Sequence, residues 1–202
     1  MKKVLLSVFI ACCAMSAHAA VFQYSVTLNG ANESPANGSP GQGLGTVNYN
    51  DSNHTLQLQV IFFGLIQTNV TGGVSATHIH AATVNPFAGT AGVATLTPIF
   101  PGFPTGVFSG SYSNALDLSL ASSWNTPFIT ANGGTPATAE AALASAMAAG
   151  KAYWNIHTAS LGGGEIRGFL TPVPEPSVLA LVGLGAIGLA ARVWNQRRAN
   201  RW

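Results

Sequence analysis

Cysteine is nearly missing from this chain of 202 residues: the two present, Cys12 and Cys13, both lie in the N-terminal apolar segment. Once that segment is removed, neither disulfides nor thiolate chemistry are open to the protein. Charge is equally scarce. Charged residues make up 7% of the sequence, and most of the cations, Lys2, Lys3, Arg192, Arg197, Arg198 and Arg201, sit at the two ends. Between residues 20 and 171 only Lys151 and Arg167 are basic, against Glu33, Asp51, Asp117, Glu140 and Glu165. The central region is therefore mildly acidic, whatever the whole-chain charge of +2 suggests. Two cations cannot neutralise a row of phosphates, which excludes nucleic acid as a partner. No Gly-x-Ser-x-Gly occurs, and the five carboxylates are scattered, which argues against a serine hydrolase or a glycosidase. We assign no catalytic and no organic-cofactor-binding residue from the sequence.

The ends read as sorting devices. Lys2 and Lys3 precede an apolar run from Val4 to Ala11, and Ala17-His18-Ala19 offers the small-x-small pattern after which signal peptidase cuts, so 1–19 is expected to be a signal peptide. A lipoprotein reading at Cys12 is disfavoured by Phe9, where a lipobox wants Leu. At the other end, Pro174-Glu175-Pro176 is followed by an apolar run over 178–191 and then by the arginine-bearing tail. Proline stops upstream structure, and guanidinium crosses lipid at high cost, so this order marks capture at a membrane by the C-terminus. It resembles the PEP-CTERM sorting signal of bacteria that make exopolysaccharide. The resemblance implies that 173–202 crosses the inner membrane transiently, that an exosortase cuts near Pro174-Glu175-Pro176, and that the protein passes to the envelope, surface or extracellular matrix. The uncharged run is 14 residues, short of the ~20 of a spanning helix, and reaches that length only if it continues to Trp194 with Arg192 snorkelling.

The region between is long enough for one domain with a real core. Phe22, Tyr24, Val26 and Leu28 alternate with Gln23, Ser25, Thr27 and Asn29, and Leu56, Leu58, Val60 and Phe62 repeat the period of two. Further strands are expected over 44–50, 74–81, 92–99, 106–112, 115–120, 152–158 and 165–171, between Gly/Pro/Asn clusters. One helix is expected over 136–149, capped by Thr135, opened by Pro136 and stopped by Gly150. Many short strands and one short helix predict a mainly β fold, a Greek-key barrel or sandwich of the superoxide-dismutase or immunoglobulin kind.

Three stretches carry polar chemistry: Leu28-Asn29-Gly30-Ala31-Asn32-Glu33-Ser34-Pro35, then Thr77-His78-Ile79-His80, and finally Tyr153-Trp154-Asn155-Ile156-His157-Thr158 with Gly163-Gly164-Glu165-Ile166-Arg167-Gly168 close behind. In this order they resemble the CHRD domain, named from chordin, over roughly 20–172. That resemblance implies the barrel more readily than an activity.

On a strand, His78 and His80 point to one side, ~6.5–7 Å apart along the backbone, with Ile79 on the other. His157 shares a face with Tyr153 and Asn155. If the two strands are neighbours, three imidazoles converge in a set that suits copper or zinc. The pattern is similar to that of Cu/Zn superoxide dismutase, although no histidine lies between His80 and His157 to supply that enzyme's bridging ligand. The alternative is structural: imidazoles bonding backbone or one another. His54 sits in a turn-like sequence and is expected to be exposed; Glu165 and Arg167 are expected to pair with each other or to tie down a loop, and Glu33 to meet Arg167 or a cation. Two functions follow. One is an exported non-catalytic module with a binding or structural role toward polysaccharide or a surface protein; the other is a periplasmic or surface copper/zinc protein.

Overall fold

The structure, a computed structural model, describes residues 21–67, 72–174 and 178–199. The signal-peptide segment 1–19, and Glu175 and Pro176 of the sorting motif, lie outside the described residues; Pro174 lies within them.

Alternation of apolar and polar residues builds the first three strands: β1 (Val21–Asn29), β2 (Gln42–Asn50) and β3 (Thr55–Phe63). β1 and β2 pair antiparallel over their full length, from Val21 opposite Asn50 to Asn29 opposite Gln42. The turn into β3 is tied by the Asn50 side chain, which accepts from the backbone N–H groups of Ser52 and Asn53. The chain then crosses to the far side of the sheet as β4 (Val74–His80) and returns beside β3 as β5 (Gly110–Asp117). Two helices follow, α1 (Thr126–Ala131) and α2 (Pro136–Ala148), and then β6 (Tyr153–Thr158), β7 (Ile166–Phe169), β8 (Thr171–Pro172) and α3 (Val178–Ala199). All pairings are antiparallel, in the order β4-β6-β7-β1-β2-β3-β5, with β8 beside β1. Gly168 lets β7 approach β1 this closely, because a Cβ there would lie 2.2 Å from the Thr27 carbonyl oxygen.

The sheet curls into a half-barrel whose edges are β4 and β5. The segment between them covers the β4 edge: Thr77 N–H donates to Pro98 O, Ala94 N–H to Ile79 O, and Val74 N–H to Val107 O. Inside lie Leu28, Val47, Leu56, Leu58, Ile79, Trp154, Ile156 and Ile166, each fully buried, every one removing side-chain area from water at a gain of roughly 1.5–3 kcal/mol. α2 closes the core with Leu143 and Met147, both fully buried. Thr135 caps it, accepting from Thr138 N–H while the Thr138 hydroxyl accepts from Thr135 N–H.

The fold is mainly β, as the periodicity predicts, with local differences. The expected strand 92–99 exists only as isolated bridges, His80 to Val93 and Thr95 to Trp124. Its hydrogen bonds are divided between the β4 edge, where Ala94 N–H donates to Ile79 O, and residues 123–125, where Leu96 N–H donates to Ser123 O and Asn125 N–H to Ala94 O, and Pro98 has no N–H to extend a ladder. The strands expected at 106–112 and 115–120 are the single strand β5, and α1 joins α2 as a second short helix. α3 runs on through Arg192, Arg197 and Arg198. Among the described residues no helix is long and apolar enough to cross a membrane. Fourteen uncharged residues make about 21 Å of helix against ~30 Å of hydrocarbon. Ile187, Leu189 and Trp194 of α3 are exposed.

Candidate metal centre

β4 and β6 are direct neighbours, so the condition for the imidazoles to meet is fulfilled. The register sets Ala76 opposite His157, His78 opposite Asn155, and His80 opposite Tyr153, which puts all three histidines on the side of the sheet away from the core. That outer face is covered by loops, so His78 and His157 are buried at 6% and 8% exposure, while His80 is half-buried with its Nε2 shut off from solvent. One ligand atom from each ring lies within 4.8 Å of the others.

Each ring is oriented by a backbone carbonyl. His78 Nδ1 faces Pro98 O at 3.3 Å, His80 Nδ1 faces Ala91 O at 2.8 Å, and His157 Nδ1 faces Gly162 O at 3.0 Å. A carbonyl accepts only, so the proton belongs on Nδ1 and the lone pair on Nε2, the arrangement by which an outer-shell partner prepares an imidazole for a metal. His78 Nε2 and His157 Nε2 then stand 3.0 Å apart, and His80 Nε2 has no hydrogen-bond partner. Burial pushes the imidazole of His78 down to about 3, helped by the neighbouring His80 and His157. Burial likewise takes His80 down to about 4 against the pull of the Ala91 carbonyl, and lowers His157. All three are neutral at pH 7, the form that ligates.

Behind the histidines runs an aromatic and cationic stack. Tyr153 lies on His80 with ring centroids 4.6 Å apart and planes 7° from parallel, and the Arg167 guanidinium covers Tyr153 at 4.7 Å. Arg167 does not pair with Glu165. Its Nε–H donates to Asn32 O and its Nη1 to Gly89 O, with Glu33 Oε2 3.9 Å from Nε. Glu165 ties loops together, accepting from the Ser39 hydroxyl and Ile66 N–H at one oxygen and from the Thr158 hydroxyl at the other. Burial raises Glu33 to about 7, against the lowering effects of Arg167 and the Ser34 N–H. His54 stays apart from the other imidazoles, pairing through Nδ1 with Glu140 Oε2 at 2.9 Å, its side chain 51% exposed.

Sequence reasoning found the three rings and their shared face but not what orients them. Pro98, Ala91 and Gly162 contribute carbonyls, which every residue owns, so no sequence signal marks them. Tyr153 was visible on the face of His157, but its stacking on His80 follows from the register alone.

The family model described as CHRD domain matches residues 24–170. The chain belongs to the CHRD domain family. Immediately after the CHRD domain, residues 172–198 match the PEP-CTERM protein-sorting motif. A CHRD domain followed by this motif is an exported protein, sorted by exosortase and passing the membrane to the cell envelope or surface. No curated protein and no solved structure matches the chain.

Proposed function

We propose that this exported CHRD domain is a metal-binding module that holds copper or zinc through the Nε2 atoms of His78, His80 and His157 at the cell surface or in the extracellular matrix. One observation carries the reading: three buried Nε2 lone pairs converge while all three Nδ1 atoms face carbonyls. Two such lone pairs 3.0 Å apart repel unless a cation lies between them. A proton is a poor candidate, because burial disfavours the imidazolium. A metal with Nε2 ligands at ~2.0–2.1 Å answers all three rings at once.

The competing structural reading has one specific support, the long 3.3 Å contact of His78 Nδ1, which suits a His78 that donates from Nε2 to His157 instead. It leaves His80 Nε2 sealed in without a partner, a cost of about 1–3 kcal/mol. The metal reading removes that cost. Three protein ligands leave a coordination position for water or a small molecule, as in open rather than closed sites.

In this reading signal peptidase removes 1–19, the C-terminal tail holds the protein at the inner membrane only until exosortase cuts near Pro174-Glu175-Pro176, and the CHRD domain is released to the surface or exopolysaccharide matrix. Intact-mass analysis of surface material tests the processing: the expected chain starts near Ala20 and ends near Pro176, and retention of Arg201 and Trp202 rejects it. Titration with Cu(II) and Zn(II) tests the site. One equivalent bound by the parent and lost in His80→Ala is expected; equal affinity in both returns the histidines to a structural role.

A further inference from the structure

The outer face of β1, β7 and β8 carries a second chemistry, divided from the imidazoles by the Tyr153 ring that lies between Arg167 and His80. A cleft of about 520 Å³ lies there, lined by Ser25 and Thr27 of β1, Arg167 and Phe169 of β7, Thr171 of β8, and Phe87 from the loop that follows β4. Its floor is Arg167, only 4% exposed. A guanidinium has five N–H donors. Arg167 uses Nε on Asn32 O and Nη1 on Gly89 O; Nη2 makes no hydrogen bond among the described residues, and the side chain lines the cleft. Glu33 Oε2 stands 3.9 Å from Nε, within ion-pair but outside hydrogen-bond range, so the cation is held by two carbonyls, the rings and this buried carboxyl, and Nη2 alone has no hydrogen bond among the described residues.

Two independent features share the cleft. The hydroxyls of Ser25, Thr27 and Thr171 are exposed and make no hydrogen bond among the described residues. Phe87 holds a left-handed backbone, φ 55°, which is uncommon for a bulky residue and marks a conformation imposed from outside. The imposition is visible: Phe87 N–H donates to Gly150 O at 2.7 Å, and its ring occupies the space that a Cβ on Gly150 would need. Yet the ring, edge-on to Phe169 at 6.1 Å, is 53% exposed. The strained backbone presents an aromatic plate to water beside a buried cation and a row of hydroxyls.

We propose that this cleft binds an acidic saccharide, with the carboxylate of a uronate unit on the outward edge of Arg167, its ring hydroxyls on Ser25, Thr27 and Thr171, and its C–H face on Phe87. A neutral sugar brings no charge to the Nη2 edge, which the Glu33 carboxyl on the Nε side does not reach by any hydrogen bond among the described residues. A bare carboxylate or phosphate leaves the hydroxyl row and the aromatic plate unused. The assignment does not depend on the metal reading and is tested on protein stripped of metal.

The experiment is calorimetric titration of the full-length chain with oligomers of galacturonate, mannuronate and glucuronate, with methyl-esterified oligogalacturonate, and with acetate. At least one uronate oligomer is expected to bind, with the ester and acetate each weaker by about tenfold or more. Because removal of buried Arg167 endangers folding, the variants are Thr27→Glu and Phe87→Ala, at exposed positions, with circular dichroism as the folding control. Each is expected to weaken uronate binding by about tenfold or more, the first by repelling the carboxylate and the second by removing the plate, while Leu44→Ala on the open face of β2 leaves it unchanged. The proposal is overturned by no uronate binding at millimolar concentration, by equal binding of acid and ester or of uronate and acetate, or by unchanged affinity in folded Thr27→Glu or Phe87→Ala.

Discussion

On β3, Leu56, Leu58, Val60 and Phe62 are buried while Gln57, Gln59, Ile61 and Phe63 are exposed; on β6, all six residues from Tyr153 to Thr158 are buried. Both strands belong to one sheet, and both turn alternate residues to the core. The difference lies outside it. The outer face of β3 meets water, whereas the outer face of β6 is roofed by the loops that supply Ala91, Pro98 and Gly162. Water exclusion does to β6 what it cannot do to β3: it lowers the imidazoles, raises Glu33, and leaves His80 Nε2, Asn155 Oδ1 and Glu33 Oε1 without partners. Polar groups on β3 are solvated and inert; those around β6 are desolvated and available to a ligand.

The comparison is broken most directly at the core. Trp154 is fully buried and donates from Nε1 to the Thr77 hydroxyl, so Trp154→Ala should cost roughly 3–5 kcal/mol in chemical denaturation. Ile61→Ala on the open face of β3, 62% exposed, should stay within about 0.5 kcal/mol. Equal costs would mean that the outer face of β3 is covered in solution.

The next effect sharpens the contrast between the histidines. Replacing His78, His80 or His157 by Ala should lower Cu(II) affinity on the order of 100-fold, about 2.7 kcal/mol, while His54→Ala, which breaks only the pair with Glu140, should leave it unchanged. Competition with a chromogenic chelator reads both. An equal response to His54→Ala would dissolve the distinction.

A pH series on the metal-free protein follows. The three buried imidazoles have folded pKa values below the ~6.5 of the unfolded chain, so between about 3 and 6.5 the unfolded state binds more protons and stability falls as pH falls, levelling off above 6.5. Each group contributes at most ~1.4 kcal/mol per pH unit within its window. Glu33, raised to about 7, works the other way, since its protonated form is favoured by folding as pH drops toward its unfolded value. Three groups against one predict net acid destabilisation below pH 6.5, reduced in His78→Ala relative to its own neutral-pH stability. A flat profile in the parent would mean that water reaches the rings.

The smallest expected effect belongs to local structure. Thr135→Ala removes the reciprocal cap of α2 and should cost about 1 kcal/mol without touching metal affinity, as thermal unfolding and titration together would report.

Strands and helix were legible because their signals are local. The alternation of Phe22 to Asn29 and of Leu56 to Phe62, and Thr135-Pro136 before an alanine-rich run ended by Gly150, report backbone geometry within a few residues. Residues 92–99 misled for the same reason: an extended segment that covers the β4 edge looks like a strand until its hydrogen bonds are followed one by one. The candidate site was half legible. A His-x-His spacing puts two rings on one side in any strand, and His157 could be placed on a face, but not opposite its partners.

The sequence by itself determined the sorting motif at the C-terminal end, the inward faces of the strands and the identity of the three imidazoles, all consequences of short-range periodicity and composition. Only the tertiary structure decided that β4 lies beside β6, that loop carbonyls face all three Nδ1 atoms, and that Arg167 lines a cleft. Those depend on contacts between residues as far apart as Asn32 and Arg167, and on the exclusion of water that such contacts together enforce, which no stretch of sequence carries alone.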